Sequence, residues 1–300
     1  MDLSLGRIAD AAGVIDPAFL DSPQFTSDQL SQHLEREIVV KVETLNPIGS
    51  FKGRGTSLLA QELDAGRTWV CATAGNFGQG LAYAARERAA SAHVFVGDDA
   101  PAGKVERIRA LGAEVEFRGQ PEIAAREHAA ADGGRLLVTD GSAPSIAEGA
   151  GTIAVELESG GPFDAIVVQL GDGALISGVA RWLKAQAPRT QVIGVCASGA
   201  PAMAQSFAAG RPIAVEGTGT IAGTLATTDP IPESFARVLA LVDDVVLVDD
   251  ADMRSAMRLI ADATGVLVEP AGAAGVAALA RHKARIPAGR VGVILTGALQ

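Results

Sequence analysis

Short apolar runs alternate along this chain with stretches whose apolar positions recur every three to four residues. The first run, Ile38-Val39-Val40-Lys41-Val42, predicts a strand over 38–42. Further strands are predicted at 68–72, 93–96, 114–117, 136–138, 165–170, 191–196, 245–248 and 290–295. Helices are predicted over 56–63, 79–90, 104–111, 123–131, 148–158, 175–186, 252–263 and 271–280. Residues 1–37 read as mostly helical and polar, with a break at Asp21-Ser22-Pro23. Continuous apolar runs of strand length suit strands covered on both sides, and a 3.6-residue period suits helices. Their alternation predicts an α/β fold of mostly parallel sheets with helices on both faces. Ligands of such sheets sit at the carboxyl ends of the strands, where loops meet helix N-termini.

Composition narrows the picture. A chain of 300 residues suits one large unit or two lobes. Hydrophobic residues make up 48% and aromatics only 4%, so the core is expected to be built from Ala, Val, Leu and Ile. The net charge of −10, without a Lys/Arg run, argues against nucleic acid and anionic membrane surfaces as partners. No apolar run is long enough to span a bilayer. The start, Met1-Asp2-Leu3-Ser4, has neither a basic nor an apolar leader region. Cys71 and Cys196 lie in apolar runs and are expected to be buried thiols. A reducing, cytoplasmic location is expected on these grounds. The scattered His and Cys residues show no metal-ligand spacing, so no metal is expected.

Candidate chemistry gathers in glycine-rich loops at predicted strand ends. Asn46-Pro47-Ile48-Gly49-Ser50-Phe51-Lys52-Gly53-Arg54-Gly55 follows the strand at 38–42. A lysine held there can lose solvation, which lowers its pKa and makes its amine nucleophilic. An aldehyde cofactor, bound as a Schiff base, needs such a lysine. A solvated Lys52 in a plain loop is the competing reading. A nucleotide P-loop is disfavoured, because it needs Gly-Lys-Ser/Thr.

The loop Thr73-Ala74-Gly75-Asn76-Phe77-Gly78 opens a helix, so its backbone N–H groups can hold a carboxylate or phosphate. The loop Gly171-Asp172-Gly173-Ala174-Leu175 follows the strand at 165–170, a phosphate-site arrangement. A dinucleotide is disfavoured there, since the glycine spacing is wrong and the next strand ends at Cys196-Ala197-Ser198 without an acid. The Asp172 carboxylate is expected to point away from a bound dianion. Thr296, at the end of the last strand, offers a hydroxyl suited to a ring nitrogen.

Taken together, these stretches resemble the fold-type II pyridoxal-phosphate enzymes, in particular the serine/threonine dehydratase group. The resemblance rests on Lys41-Val42-Glu43, Gly49-Ser50-Phe51-Lys52, Ala74-Gly75-Asn76, the 171–178 loop, Glu269-Pro270-Ala271-Gly272 and Leu295-Thr296-Gly297. It implies the two-lobe, tryptophan synthase beta-like fold. The larger cofactor-binding lobe would comprise 1–71 and 145–300, and a smaller mobile lobe on the substrate side 72–144. It implies pyridoxal 5′-phosphate as cofactor and a homodimer as assembly. Lys52 would be the Schiff-base lysine and the base at Cα, and Phe51 would lie against the ring. Asn76 would bond the 3′-oxygen, and Gly171, Asp172, Gly173, Ala174 and Leu175 would hold the phosphate through backbone N–H groups. Thr296 would meet the ring nitrogen. Ser50 and the run Thr73, Ala74, Gly75, Asn76 and Phe77 would bind the substrate.

The activity implied is an ammonia-lyase (dehydratase) reaction on L-threonine, L-serine or a related β-hydroxy amino acid. The leaving hydroxyl would be protonated through the cofactor phosphate. Another β-elimination or β-replacement, as in cysteine or threonine synthases, and a catalytically weak amino-acid-binding homologue are the alternatives. The departures from the family pattern are specific. Phe77 stands where His is common, and Ala74 where serine racemases carry a second acid/base serine. Cys196 and Ala202 stand where metal-dependent members have carboxylates. Gly223-Thr224 replaces Asp-Gly near the leaving group, and Ala298-Leu299 replaces Gly-Asn. The chain stops at Gln300, where biosynthetic threonine dehydratases continue into a regulatory domain.

Overall fold

The structure is a computed structural model that describes residues 1–141 and 143–300. The chain begins with α1 (Leu5–Ala11), β1 (Gln24–Thr26), α2 (Asp28–Leu34), β2 (Glu37–Val42) and α3 (Lys52–Ala60). It continues through β3 (Thr68–Ala72), α4 (Asn76–Glu87), β4 (Ser91–Val96), α5 (Ala102–Ala110), β5 (Glu114–Phe117), α6 (Pro121–Ala130) and β6 (Arg135–Leu137). Then come α7 (Pro144–Ser159), β7 (Ala165–Gln169), α8 (Ala174–Gln186), β8 (Gln191–Ala197), α9 (Ala202–Ala209) and α10 (Pro232–Leu241). The last elements are β9 (Asp244–Val248), α11 (Asp250–Thr264), α12 (Pro270–Arg281) and β10 (Arg290–Leu295).

Two sheets result. The larger runs β1-β2-β10-β7-β8-β9, with every pairing parallel except the antiparallel β1–β2 edge. The smaller runs β5-β4-β3-β6 and is parallel throughout. Alternate residues of the strands feed opposite faces, as the pleat requires. Ile38, Val40, Val42, Ala165 and Val167 pack with Leu30 of α2, Ile260 of α11 and Val276 of α12. Val39, Ile166 and Val168 pack on the other face with Ile153 of α7, Val179 of α8 and Val238 of α10. In the smaller sheet Trp69, Cys71 and Val94 pack on Leu81 of α4 and Ile108 of α5, while Val70 and Phe95 meet Ala125 of α6.

Three helices meet backbone to backbone, and glycine makes that possible. A Cβ on Gly178 of α8 would lie 1.8 Å from the Ala147 carbonyl oxygen of α7. A Cβ on Gly149 would lie 2.6 Å from the Arg54 carbonyl oxygen, and one on Gly55 2.6 Å from that of Ile146. Side chains there would force α3, α7 and α8 apart. This packing fixes α3, and with it the position of Lys52.

Several expectations need correction. α3 begins at Lys52, four residues before the predicted 56, and α4 begins at Asn76, before the predicted 79. Glycines in both first turns mask the helical period. Residues 1–37 include the short edge strand β1, whose three residues are too few to show a pattern. No element is expected between 196 and 245, yet α9 and α10 lie there. A lobe boundary between 71 and 72 would cut β3, which pairs with β4 from Thr68 onward, so the smaller sheet starts at Thr68. No helix of the described residues is long and apolar enough to cross a membrane.

Candidate active site

The helices α3, α4, α8 and α12 all begin just beyond the carboxyl ends of parallel strands or the loops beside them, and their first residues border one cavity of about 730 Å³. Phe51, Lys52, the 73–77 loop, Gly171, Asp172, Gly173, Leu175, Thr224, Glu269 and Thr296 line it.

The loop carrying Lys52 is tied at both ends. Asn46 Nδ2 donates to the Glu43 and Ser50 carbonyls at 2.9 and 3.1 Å, and Asn46 Oδ1 accepts from the Ile48 and Ser50 N–H groups. Gly49 takes φ of +64°, which favours glycine. The Phe51 N–H donates to the Thr296 carbonyl and the Ala298 N–H to the Gly49 carbonyl, so the lysine loop is stitched to the end of β10. Two residues beyond Lys52, the fully buried Arg54 pairs with both oxygens of Glu43 and both of Glu156, and Lys41 also pairs with Glu156. Two cations and two carboxylates balance there, which offsets the desolvation each suffers.

Lys52 Nζ lies 2.7 and 2.9 Å from the two Asp140 oxygens and 3.0 Å from Asp172 Oδ2. It sits 5.3 Å from the Phe51 ring centroid. Burial opposes its charge, but the two carboxylates outweigh burial and hold the ammonium above its usual range. The expectation of a lowered lysine pKa is therefore reversed in this structure. The Asp172 carboxylate points towards Lys52. Its Oδ1 accepts from the Ala174 N–H at 2.8 Å, so that phosphate-loop donor is already used. Burial raises Asp172, but Lys52 and the Ala174 N–H outweigh it and hold the carboxyl below the usual range. Asp140 goes the other way: burial, aided by the Asp172 charge, pushes it up against the pull of Lys52.

Asn76, 5% exposed, donates from Nδ2 to Glu269 Oε1 at 3.0 Å, while its Oδ1 is buried without a partner. Glu269 also accepts from Thr224 Oγ1 at 3.2 Å and meets Lys104 Nζ at 3.5 Å. Thr73 Oγ1 accepts from the Gly75 N–H at 2.9 Å, and α4 has no side-chain cap. Phe77 lines the cavity and also packs into the core of the smaller sheet.

The sequence-predicted residues converge on this cavity with two exceptions. Ser50 is fully buried outside its lining, with its Oγ accepting from the Lys52 N–H at 3.3 Å. Ala174 is also buried and does not line it. Sequence reasoning missed Asp140, and it gave Glu269 no role. An Asp-Gly pair three residues past the end of β6 was the available signal for Asp140.

The residues present fit an aldehyde-phosphate cofactor. An amine stands in the cavity wall, and Gly173 adopts φ of +94° at the N-terminus of α8, where Asp172 takes the Ala174 N–H and leaves the following first-turn N–H groups without a side-chain cap. A Cβ on Gly171 would meet the Thr224 carbonyl oxygen at 2.8 Å, so that turn accepts only glycine without a shift. The buried amide of Asn76, with one oxygen unpartnered, faces the same space.

Comparison with known proteins agrees with this geometry. The family described as "Pyridoxal-phosphate dependent enzyme" matches residues 15–297. A putative threonine dehydratase of Sinorhizobium fredii is 32% identical, over 99% of this chain and 92% of the relative. A phenylserine dehydratase of Ralstonia pickettii is 36% identical, over 86% of this chain and 81% of the relative. The crystal structure of a threonine deaminase from T.th. superposes with a TM-score of 0.93 at 32% identity, covering 99% of this chain and 98% of that one. The chain belongs to the pyridoxal-phosphate-dependent enzyme family. Its fold is fold-type II, its cofactor is pyridoxal phosphate, and within that family it is a lyase.

Proposed function

We propose that the protein is an ammonia-lyase that converts L-threonine, L-serine or a related β-hydroxy amino acid to a 2-oxo acid and ammonia. The observation that carries this reading is the placement of Lys52 in one cavity with Asn76, the 171–175 loop and Thr296. The relatives named as dehydratases support the substrate class.

The cofactor, when bound, supplies an electron sink for the bond broken at Cα. Lys52 would hold it, and its free amine would take the Cα proton. The 171–175 loop and the first turn of α8 would hold the phosphate, less the Ala174 N–H that Asp172 occupies. Asn76 would donate to the ring oxygen with its second amide N–H, and Phe51 would lie beside the ring. The Thr296 hydroxyl would offer the ring nitrogen a partner without a full charge, which would favour loss of a β-substituent over transamination. The backbone of the 73–77 loop receives the substrate carboxylate at the start of α4. The smaller lobe, taken from Thr68, closes over the substrate and excludes water. The reading includes a homodimer in a reducing cytoplasm, in keeping with two free, buried cysteines.

Two measurements test it. A panel of amino acids assayed for ammonia release should single out a β-hydroxy amino acid; silence across the panel rejects the lyase reading. Borohydride should fix cofactor to the wild-type chain and not to Lys52→Ala. Fixation to another lysine in that variant rejects the assignment of Lys52.

A further inference from the structure

An anion entering this cavity meets few cations. No arginine lines it among the described residues. Its lysines are Lys52, already paired with two carboxylates, and Lys104, held by Glu269. A phosphate at the 171–175 loop therefore rests on backbone N–H groups at the start of α8. The helix's own ladder begins with the Ser177 N–H, bonded to the Gly173 carbonyl at 3.0 Å. The donors ahead of it in the helix are those of Ala174, Leu175 and Ile176. Asp172 Oδ1 accepts from the first of these at 2.8 Å. We propose that Asp172 sets how tightly the protein holds its cofactor's phosphate: it withholds one of these donors and places a carboxylate beside the anion.

The carboxylate is held in this place. Its backbone lies between Gly171, where a Cβ would meet the Thr224 carbonyl oxygen at 2.8 Å, and Gly173, at φ of +94°. Its carbonyl accepts from the Ser234 hydroxyl of α10. On the cavity side Oδ2 lies 3.0 Å from Lys52 Nζ. A Cβ on Gly141 would lie 3.3 Å from the Asp172 Cβ, so the loop after β6 closes against this side chain. Asp140 also contacts Lys52, but the N–H on its Oδ1 is that of Gly141, the next residue, at 3.0 Å. That donor is not part of the α8 N-terminus, so Asp140 shares the lysine and not the phosphate loop. A hydrogen bond from an N–H to an ionised oxygen is among the stronger single contacts, so one donor withheld is a measurable loss. A like charge at the same loop adds to it. The inference rests on the phosphate placement in the reading above, and not on the choice of substrate.

The test compares pyridoxal 5′-phosphate with pyridoxal, which differ in the phosphate alone, by spectral titration of cofactor-free protein. The quantity read is the preference for the phosphate form, the dissociation constant of pyridoxal divided by that of pyridoxal 5′-phosphate. Asp172→Ala frees the Ala174 N–H and removes the charge, and should raise that preference by about ten- to hundredfold. Asp172→Asn removes the charge but keeps an oxygen for the N–H, and should raise it by a smaller factor. Asp140→Asn takes a carboxylate from Lys52 alone, and should move both constants together. Equal tightening of both cofactors in Asp172→Ala overturns the inference, because Asp172 then acts through Lys52. An unchanged or lowered preference in that variant overturns it, as does an equal rise in Asp140→Asn. If Asp172→Ala fails to fold, for loss of its bond at the start of α8, Asp172→Asn carries the comparison. A raised preference then supports the inference and an unchanged one overturns it. Borohydride fixation of each cofactor shows that the same lysine is read throughout. If wild type fixes pyridoxal 5′-phosphate at a lysine other than Lys52, the reading of the site falls and the inference with it. If wild type fixes it at Lys52 and the preference does not move, only the role of Asp172 falls.

Discussion

Asn76 and Glu269 are joined by a 3.0 Å hydrogen bond between the first residue of α4 and the residue that precedes α12. One belongs to the smaller sheet's helices and the other to the larger's. The bond fixes which way the Asn76 amide faces, and Thr224 and Lys104 hold Glu269 from two further elements. A hydrogen bond to a charged group contributes about 1.5–3 kcal/mol.

Glu269→Ala should therefore weaken cofactor binding by roughly ten- to hundredfold, on that same energy scale. Spectrophotometric titration of the cofactor-free variant measures it. An affinity equal to wild type would show that Asn76 needs no such support.

Glu156 sits between Arg54 and Lys41, and these cations overcome its burial and hold its carboxyl below the usual range. A group lowered on folding contributes stability above its unfolded pKa and loses it as the pH falls through the folded value. Glu156→Gln should thus destabilise the protein by about 3–5 kcal/mol at neutral pH, by leaving a buried cation uncompensated. The difference from wild type should shrink as the pH falls below about 4.3. Denaturant unfolding at several pH values reads both effects.

Racemisation needs a second acid/base on the face of the substrate opposite Lys52. Ala74 lines the cavity but offers only a methyl, and the neighbouring Thr73 hydroxyl is engaged by the Gly75 N–H. An L-β-hydroxy amino acid should give 2-oxo acid with little D-isomer. Chiral chromatography of a stopped reaction decides this, and D-serine formed from L-serine as fast as pyruvate would contradict it.

Cys196 is the penultimate residue of β8, with its thiol buried and pushed up to about 12, and Ala202 opens α9 with a methyl. Neither supplies the hard oxygen that Mg²⁺ or Ca²⁺ requires. Activity should survive EDTA. A large loss restored by Mg²⁺ would place a divalent cation elsewhere in the fold.

The alternation of strands and helices was legible because strands such as β7, buried throughout, leave unbroken apolar runs. That Lys52, the 171–175 loop and Thr296 lie at one cavity was legible for a related reason: each is a local motif following a strand. Asp140 was not, because its meaning depends on a lysine 88 positions away. Glu269 was seen as part of a motif, but its partner Asn76 is 193 positions away. The direction of the Lys52 shift failed on the same ground, since burial can be read from a loop but the carboxylates that outweigh it cannot. α10 is a different case. Pro232 at its start and apolar Phe235, Val238 and Leu241 are signals that a stricter reading would have used.

The two carboxylates at Lys52 also bear on how the protein holds together. They arrive from loops on both sheets, after β6 and after β7, and they neutralise an ammonium that would otherwise stand in the cavity wall without a counter-charge. An uncompensated buried ion costs several kcal/mol, a sizeable part of the stability of a whole domain. Here that penalty is offset by the polypeptide itself. Through Lys52 the two loops, and the sheets they leave, are held together by charge as well as by packing.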